Sequence, residues 1–301
     1  MGMRRFTFLL CSAFLLASPQ AMGQDFDKVE ITTTDLGDGL FMLMGEGGNL
    51  GLSIGDDGTF LIDDQYAPLS AKIQAAIAAV TDMPATYVIN THWHGDHTGG
   101  NENFGKAGAV IVAHDNVRKR MSVDQVMEAF NRNIPASPDD ALPVITFSET
   151  VTFHFNGQPV RATHMPNAHT DGDAVIKFED SNVLHTGDLF FNGMFPFIDF
   201  GSGGNINGVI DAQEAILGMT DDSTKIIPGH GPLATKADLA ETRGKLIKIK
   251  AAIKPLMDQG LSMEEIVAKK PLSGLDLGWP PGFLTEDQFV QTVVAGLAAQ
   301  K

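Results

Sequence analysis

Short apolar runs bounded by glycine, asparagine and aspartate punctuate the chain up to about residue 227, and runs with helical spacing dominate the remainder. Residues 24–34 read as a polar lead-in. β-branched and aromatic content predicts strands over 39–45, 50–55 and 59–64, with a glycine-rich turn at 45–49 and an Asp56-Asp57-Gly58 turn between them. Residues 70–80 are alanine-rich with Ile73, Ile77 and Val80 on one side, which predicts a helix. Next come a strand over 86–91, a short helix over 101–104 and a buried strand over 109–113. Residues 115–133 read as a helix, with Val117, Met121, Met127 and Phe130 as its apolar positions. Residues 134–143 hold three prolines and read as a loop.

Further along, Asn156-Gly157 joins apolar runs at 151–155 and 160–165, the strongest short hairpin signal. A second hairpin is expected from 174–178 and 182–186, then a helix over 209–219 and a strand over 224–227. The rest reads as helical: a long helix over 236–257, and two capping-box patterns, Ser262-Met263-Glu264-Glu265 and Thr285-Glu286-Asp287-Gln288. Strands followed by helix occur twice. Pattern alone therefore predicts an α/β chain with mixed sheets, and no linker splits it.

The chemistry concentrates at Thr91-His92-Trp93-His94-Gly95-Asp96-His97, directly after the strand predicted at 86–91. Three of the nine histidines and an aspartate fall within six positions. Neutral imidazole and carboxylate together suit zinc or another borderline divalent ion. With further candidates downstream, this density exceeds what one tetrahedral ion with an open position needs. Two adjacent metals are expected.

Composition adds a location and removes some partners. Arg4 and Arg5 precede an apolar run at 6–16, and Ala21-Met22-Gly23 offers small residues where a signal peptidase reads, which predicts a secretory leader over 1–23. The run is too short to span a membrane, so no stable anchor is expected after cleavage, and the mature protein would be secreted, in the periplasm. Removing Arg4 and Arg5 leaves 19 basic residues against 37 acidic ones, a net charge of −18 instead of −16. A surface this acidic repels phosphate backbones, which argues against nucleic acid as a partner and for a small-molecule substrate. The single cysteine, Cys11, lies in the leader, so no disulfide and no thiolate ligand is expected. Oligomeric state is not legible.

His-X-His-X-Asp-His after a strand resembles the motif of the metallo-β-lactamase superfamily of binuclear metallohydrolases. Three later segments carry the resemblance on, over about residues 30–235. They are His169 in Ala168-His169-Thr170-Asp171, Asp188 in Thr186-Gly187-Asp188-Leu189, and His230 in Pro228-Gly229-His230-Gly231. The resemblance implies a four-layer αβ/βα sandwich with extra C-terminal helices, 236–301 packing on the domain formed by 24–235. It implies two Zn2+ per chain, with iron or manganese as alternatives. His92, His94 and His169 would hold the first metal, Asp96, His97 and His230 the second, and Asp188 would bridge them. Asp96 would also orient the nucleophile, a hydroxide shared by the two metals, which attacks a carbonyl substrate such as an ester, lactone, thioester or cyclic amide.

The resemblance also implies supporting positions. Asp63, with Asp64 as neighbour, would orient a ligand histidine, and His185, which precedes the Asp188 turn, reads as a supporting hydrogen-bond partner. Trp93, Met194, Phe195 and Phe197 are candidates for an apolar substrate pocket. His114, His154 and His164 read as structural. Two groups of zinc β-lactamases carry cysteine where Asp188 stands, and a third lacks the bridging aspartate. The ligand set is thus similar to that of glyoxalase II and lactone-cleaving members, and β-lactam hydrolysis remains an alternative. A mononuclear iron persulfide dioxygenase is the other.

Overall fold

A computed structural model describes residues 25–280 and 282–299; the expected leader, with Cys11, lies outside them. The first half comprises β1 (Thr32–Gly37), β2 (Leu40–Met44), β3 (Leu50–Gly55), β4 (Gly58–Ile62), α1 (Ser70–Ala78), β5 (Ala85–Ile89), α2 (Gly95–Thr98), α3 (Asn101–Lys106), β6 (Val110–His114), α4 (Asp115–Met121), β7 (Gln125–Met127), β8 (Arg132–Ile134) and β9 (Ile145–Phe147). The second comprises β10 (Thr150–Phe155), β11 (Gln158–His164), β12 (Ala174–Phe178), β13 (Val183–His185), α5 (Ile206–Gly218), β14 (Lys225–Ile227), α6 (Lys236–Asp258), α7 (Met263–Ala268) and α8 (Glu286–Ala299).

Strands β1 to β6 and β9 form one sheet in chain order, and β10 to β14 form a second. The first sheet is antiparallel from β1 to β4 and parallel from β4 through β5 and β6 to β9. The second is antiparallel until β14 joins β13 in parallel. Both inner faces share one core: Phe60, Ile62, Ile89 and Val112 meet Phe155, Ala162, Ile176 and Phe178. Period two then sends Leu61 to the other face, where it packs with Ile73, Ile77 and Phe104 of α1 and α3. Val175 and Leu184 likewise face α5, α6 and α8 through Val209, Leu246 and Phe289. The order is helix, sheet, sheet, helix: the four-layer sandwich. The tail helices α6 and α8 turn their apolar sides into that outer core, through Leu246 and Ile249 and through Phe289 and Val293.

Three sequence expectations are corrected. The polar lead-in ends in a strand: Thr32–Gly37 pairs with β2 as an exposed edge, so it shows no apolar run. The helix expected over 115–133 stops at Met121, and 125–134 is a two-stranded hairpin, β7 with β8. Its turn residue Asn131 has φ of 47°, a left-handed conformation that a helix cannot include. β9 lies in a stretch where the apolar pattern predicts no element, because two of its three residues are exposed. The hairpin across Asn156-Gly157 and both capping boxes form where the sequence places them.

Candidate metal centre

The parallel strands β4, β5, β13 and β14 end at one rim, and the residues after each turn into it. Asp63 follows β4, His92 to His97 follow β5, Asp188 follows β13 and His230 follows β14. His169 comes from the loop between β11 and β12. Two groups of ligand-type atoms result, one of His92, His94, His169 and Asp188, the other of Asp96, His97 and His230. Asp188 joins them. Its Oδ2 lies 3.7 Å from His92 Nε2 and 3.5 Å from His169 Nε2. Its Oδ1 lies 3.1 Å from His97 Nε2 and 3.4 Å from His230 Nε2. Asp96 Oδ2 sits 3.3 Å from His230 Nε2 and 3.6 Å from His97 Nε2.

The far side of most rings fixes which nitrogen carries the lone pair. His169 Nδ1 donates to the Phe197 carbonyl at 2.8 Å, leaving Nε2 as acceptor. His94 is turned the other way: Nε2 donates to Asp199 Oδ2 at 3.0 Å, leaving Nδ1. These two acceptor nitrogens face each other at 2.9 Å, an arrangement that needs a cation between them. His97 Nδ1 donates to Asp63 Oδ2 at 2.7 Å. His92 Nδ1 lies 3.1 Å from Thr91 Oγ1, which itself donates to Asp63. His92 Nε2, His97 Nε2 and Asp188 Oδ1 are buried with no hydrogen-bond partner. Five imidazoles and two carboxylates with orphaned, converging atoms fit divalent metal.

The electrostatics match a site built for positive charge. Burial disfavours a charged His92, and His97 beside it adds repulsion, so its pKa is well below the ordinary value. Burial lowers His169 to about 4, helped by His94 and opposed by Asp188. Burial acts against charge on His97 and His230 too, but the carboxylates outweigh it. Asp188, Asp96 and Asp63 hold His97 well above its usual value, and Asp188 and Asp96 raise His230 to about 9. Burial would push Asp188 up, yet His97, His230, His92 and His169 bring it well down.

Asp63 stands behind the centre against His97. Both ring nitrogens of His185 are taken up by backbone: its Nε2 donates to the Asn49 carbonyl and its Nδ1 accepts the Gly187 N–H, so it braces the turn carrying Asp188. Of the pocket candidates, Phe197 flanks the His94 and His169 rings at 5.7 and 5.8 Å. Trp93 is buried, its Nε1 donating to Ser202 Oγ and its ring 4.8 Å from His94. Phe195 is not at the pocket: it packs on Trp279 and Phe289 beneath α8, and Met194 packs on the same core. Sequence reading missed Asp199, which is separated from His94 by 105 positions. It also missed Phe191, whose ring stacks on His230 at 4.9 Å and 20°. His114 and His164 stack on each other at 3.7 Å.

The sequence profile of the metallo-β-lactamase superfamily matches residues 45–245, and the chain belongs to that superfamily. A hydroxyacylglutathione hydrolase of Polaromonas sp. is 27% identical over 165 residues, 54% of this chain and 55% of that protein. An atrochrysone carboxyl ACP thioesterase of Aspergillus chevalieri is 26% identical over 192 residues, 62% of this chain and 53% of that one. The chain spans about half the length of both. Among solved structures, a metallo-β-lactamase from Pontibacter korlensis superposes with a TM-score of 0.59 at 18% identity, covering 72% of this chain and 99% of that one, which shows the shared fold.

Proposed function

We propose that this protein is an exported hydrolase that holds two zinc ions and cleaves a carbonyl substrate: an ester, lactone, thioester or cyclic amide. The observation that carries the reading is the division of Asp188, one oxygen toward each group of imidazoles. His92, His94 and His169 would hold one ion, Asp96, His97 and His230 the other, with Asp188 shared. Two such cations supply Lewis acidity toward a carbonyl oxygen and lower the pKa of bound water.

The chain's own residues do the rest. Phe197 O, Asp199 and Asp63 keep His169, His94 and His97 in the tautomers that leave a lone pair toward the centre. Asp96 is more open to solvent than Asp188, and His97 and His230 hold its carboxylate ionised against the effect of burial. It is placed to accept a hydrogen bond from the attacking water and so to orient it. The relative named as a thioesterase supports a carbonyl substrate, and among the described residues no helix is long and apolar enough to cross a membrane.

The test is metal content of the purified protein together with a screen of a thioester, a lactone, a simple ester and a β-lactam. Two zinc ions per chain with turnover of a carbonyl substrate is the expected result. One iron per chain and no hydrolysis would overturn it and favour an oxygen-using enzyme.

A further inference from the structure

Phe197 does more than fix His169 through its carbonyl. Its ring is 5.1 Å from Phe130 and 6.3 Å from Phe283, and Phe130 and Phe283 lie 5.5 Å apart. Three rings from three distant segments thus close a triangle beside the first group of ligands. Phe197 comes from the loop after Asp188, Phe130 from the turn between β7 and β8, and Phe283 from the stretch before α8.

Exposure rises outward along this wall, from 6% at Phe197 to 39% at Phe130 and 68% at Phe283. A core cluster would be dry throughout. Here the ring touching the ligand histidines is dry and the outer two are wet, so an apolar face runs from solvent to the candidate centre. On its other side Phe130 lines a cavity of about 240 Å3 with Phe200, Met263 and Leu284 and the polar Glu128 and Gln288, so the outer end of the ring stripe borders open space.

From this we infer that Phe197, Phe130 and Phe283 form the binding wall for an uncharged apolar acyl group, aliphatic or aryl, on the substrate. The inference rests on the hydrolase reading above and narrows its substrate class. Bare rings offer no donor or acceptor to a charged substituent, which would lose its water without compensation. An alkyl or aryl group would instead cover the exposed ring faces and gain from their removal from water. Phe130 and Phe283 are specificity-determining residues on this account.

The experiment uses the zinc-loaded protein and two readouts. One is kcat/KM for acetyl and octanoyl thioesters of the same small thiol; the other is calorimetric binding of acetate and octanoate. Wild type should prefer the octanoyl ester, and octanoate should bind with a negative heat-capacity change. Phe130→Ala and Phe283→Ala, both at exposed rings and unthreatening to the fold, should each cut the octanoyl-to-acetyl ratio about tenfold through KM and weaken octanoate similarly. Val144→Ala, an exposed apolar side chain outside the three segments, should change neither. Retention of both preferences in the two variants, or no preference in wild type, overturns the wall. Octanoate binding that both variants lose, without turnover of any carbonyl substrate, upholds the wall and sinks the hydrolase reading instead.

Discussion

Asp63 Oδ2 lies 2.7 Å from His97 Nδ1, and the same oxygen accepts a hydrogen bond from the Thr91 hydroxyl at 2.7 Å. Because Thr91 Oγ1 in turn faces His92 Nδ1, one carboxylate sets a ring in each group of ligands. Its other oxygen accepts the Thr91 N–H. Asp63 achieves this with φ of 59°, left-handed for a residue with a side chain, a strain of about 1–3 kcal/mol. The three bonds over-determine that conformation.

Asp63→Asn tests the arrangement. An amide can present its oxygen to the Thr91 N–H only by turning its NH2 toward His97 Nδ1. That donor shifts the imidazole proton to Nε2, the atom aimed at the centre. Affinity for the metal held by His97 should fall about 10–100-fold, as is usual when an outer partner of a ligand is lost. Competition with a coloured chelator measures it, and unchanged affinity would remove Asp63 from this role.

Asp188→Ala removes the carboxylate that lies between the two groups. Four imidazole nitrogens lie within 3.7 Å of its oxygens. Bound metal should drop toward one ion per chain, and turnover should fall by more than the ~10–100-fold expected for an outer partner. Two tightly held ions and full activity in this variant would refute the bridging role.

Most of the candidate ligands were legible because they stand in short motifs after a recognisable strand, His92 to His97 after 86–91, Asp188 after 182–186 and His230 after 224–227, while His169, in the loop between β11 and β12, was reached through the family resemblance. Most strands were legible for a similar reason, since buried ones such as β12 read as short apolar runs, whereas their stacking into four layers followed from the family resemblance and not from the pattern. What supports the ligands was not legible. Asp199 reaches His94 only through tertiary folding, and Phe191 finds His230 through a two-residue bridge between separate loops. The hairpin of β7 and β8 was misread because apolar residues recur from Val117 to Phe130 with no glycine or proline to interrupt a helix, and Asn131 alone signals the turn. Phe195 and Phe197 are two positions apart in one aromatic run and both are buried in one core, and only tertiary packing decides that Phe195 meets Trp279 and Phe289 while Phe197 meets the His94 and His169 rings.

Glycines near the centre separate close approach from mere flexibility. A Cβ on Gly48 would come within 2.1 Å of the His97 ring, and one on Gly229 within 2.1 Å of Asp188 Oδ1. A Cβ on Gly95, between two ligands in the sequence, would meet nothing within 4 Å. Gly48→Ala and Gly229→Ala should therefore displace a ligand and lower metal affinity at least about tenfold. Gly95→Ala should retain wild-type affinity and gain slightly in stability as it opens α2, by up to about 1 kcal/mol. Equal effects from all three would show that backbone freedom, not contact, is what these positions need.

The stacked pair His114 and His164 yields a pH prediction away from the ligands. His114 Nε2 donates to the Ser148 carbonyl, its Nδ1 accepts the Asn116 N–H at the start of α4, and His164 Nδ1 donates to Asp173 O. Burial, and then the neighbouring His164, lower the pKa of His114; the bond to the Ser148 carbonyl, then Asp115 and Asp171, oppose this only in part. Between that lowered value and about 6.5 the unfolded chain binds a proton that the folded chain refuses. The stability from neutral His114 is thus whole above about pH 6.5 and drains away as pH falls through its folded value. His114→Ala should cost about 1 kcal/mol at pH 7.5, mainly through the lost helix cap, with turnover little changed since the ring contacts no ligand. At pH 5 the gap between wild type and variant should narrow, because the variant has no such proton to refuse. Urea midpoints of the zinc-loaded proteins at the two pH values measure this, and a gap that stays constant would show that His114 does not titrate across folding.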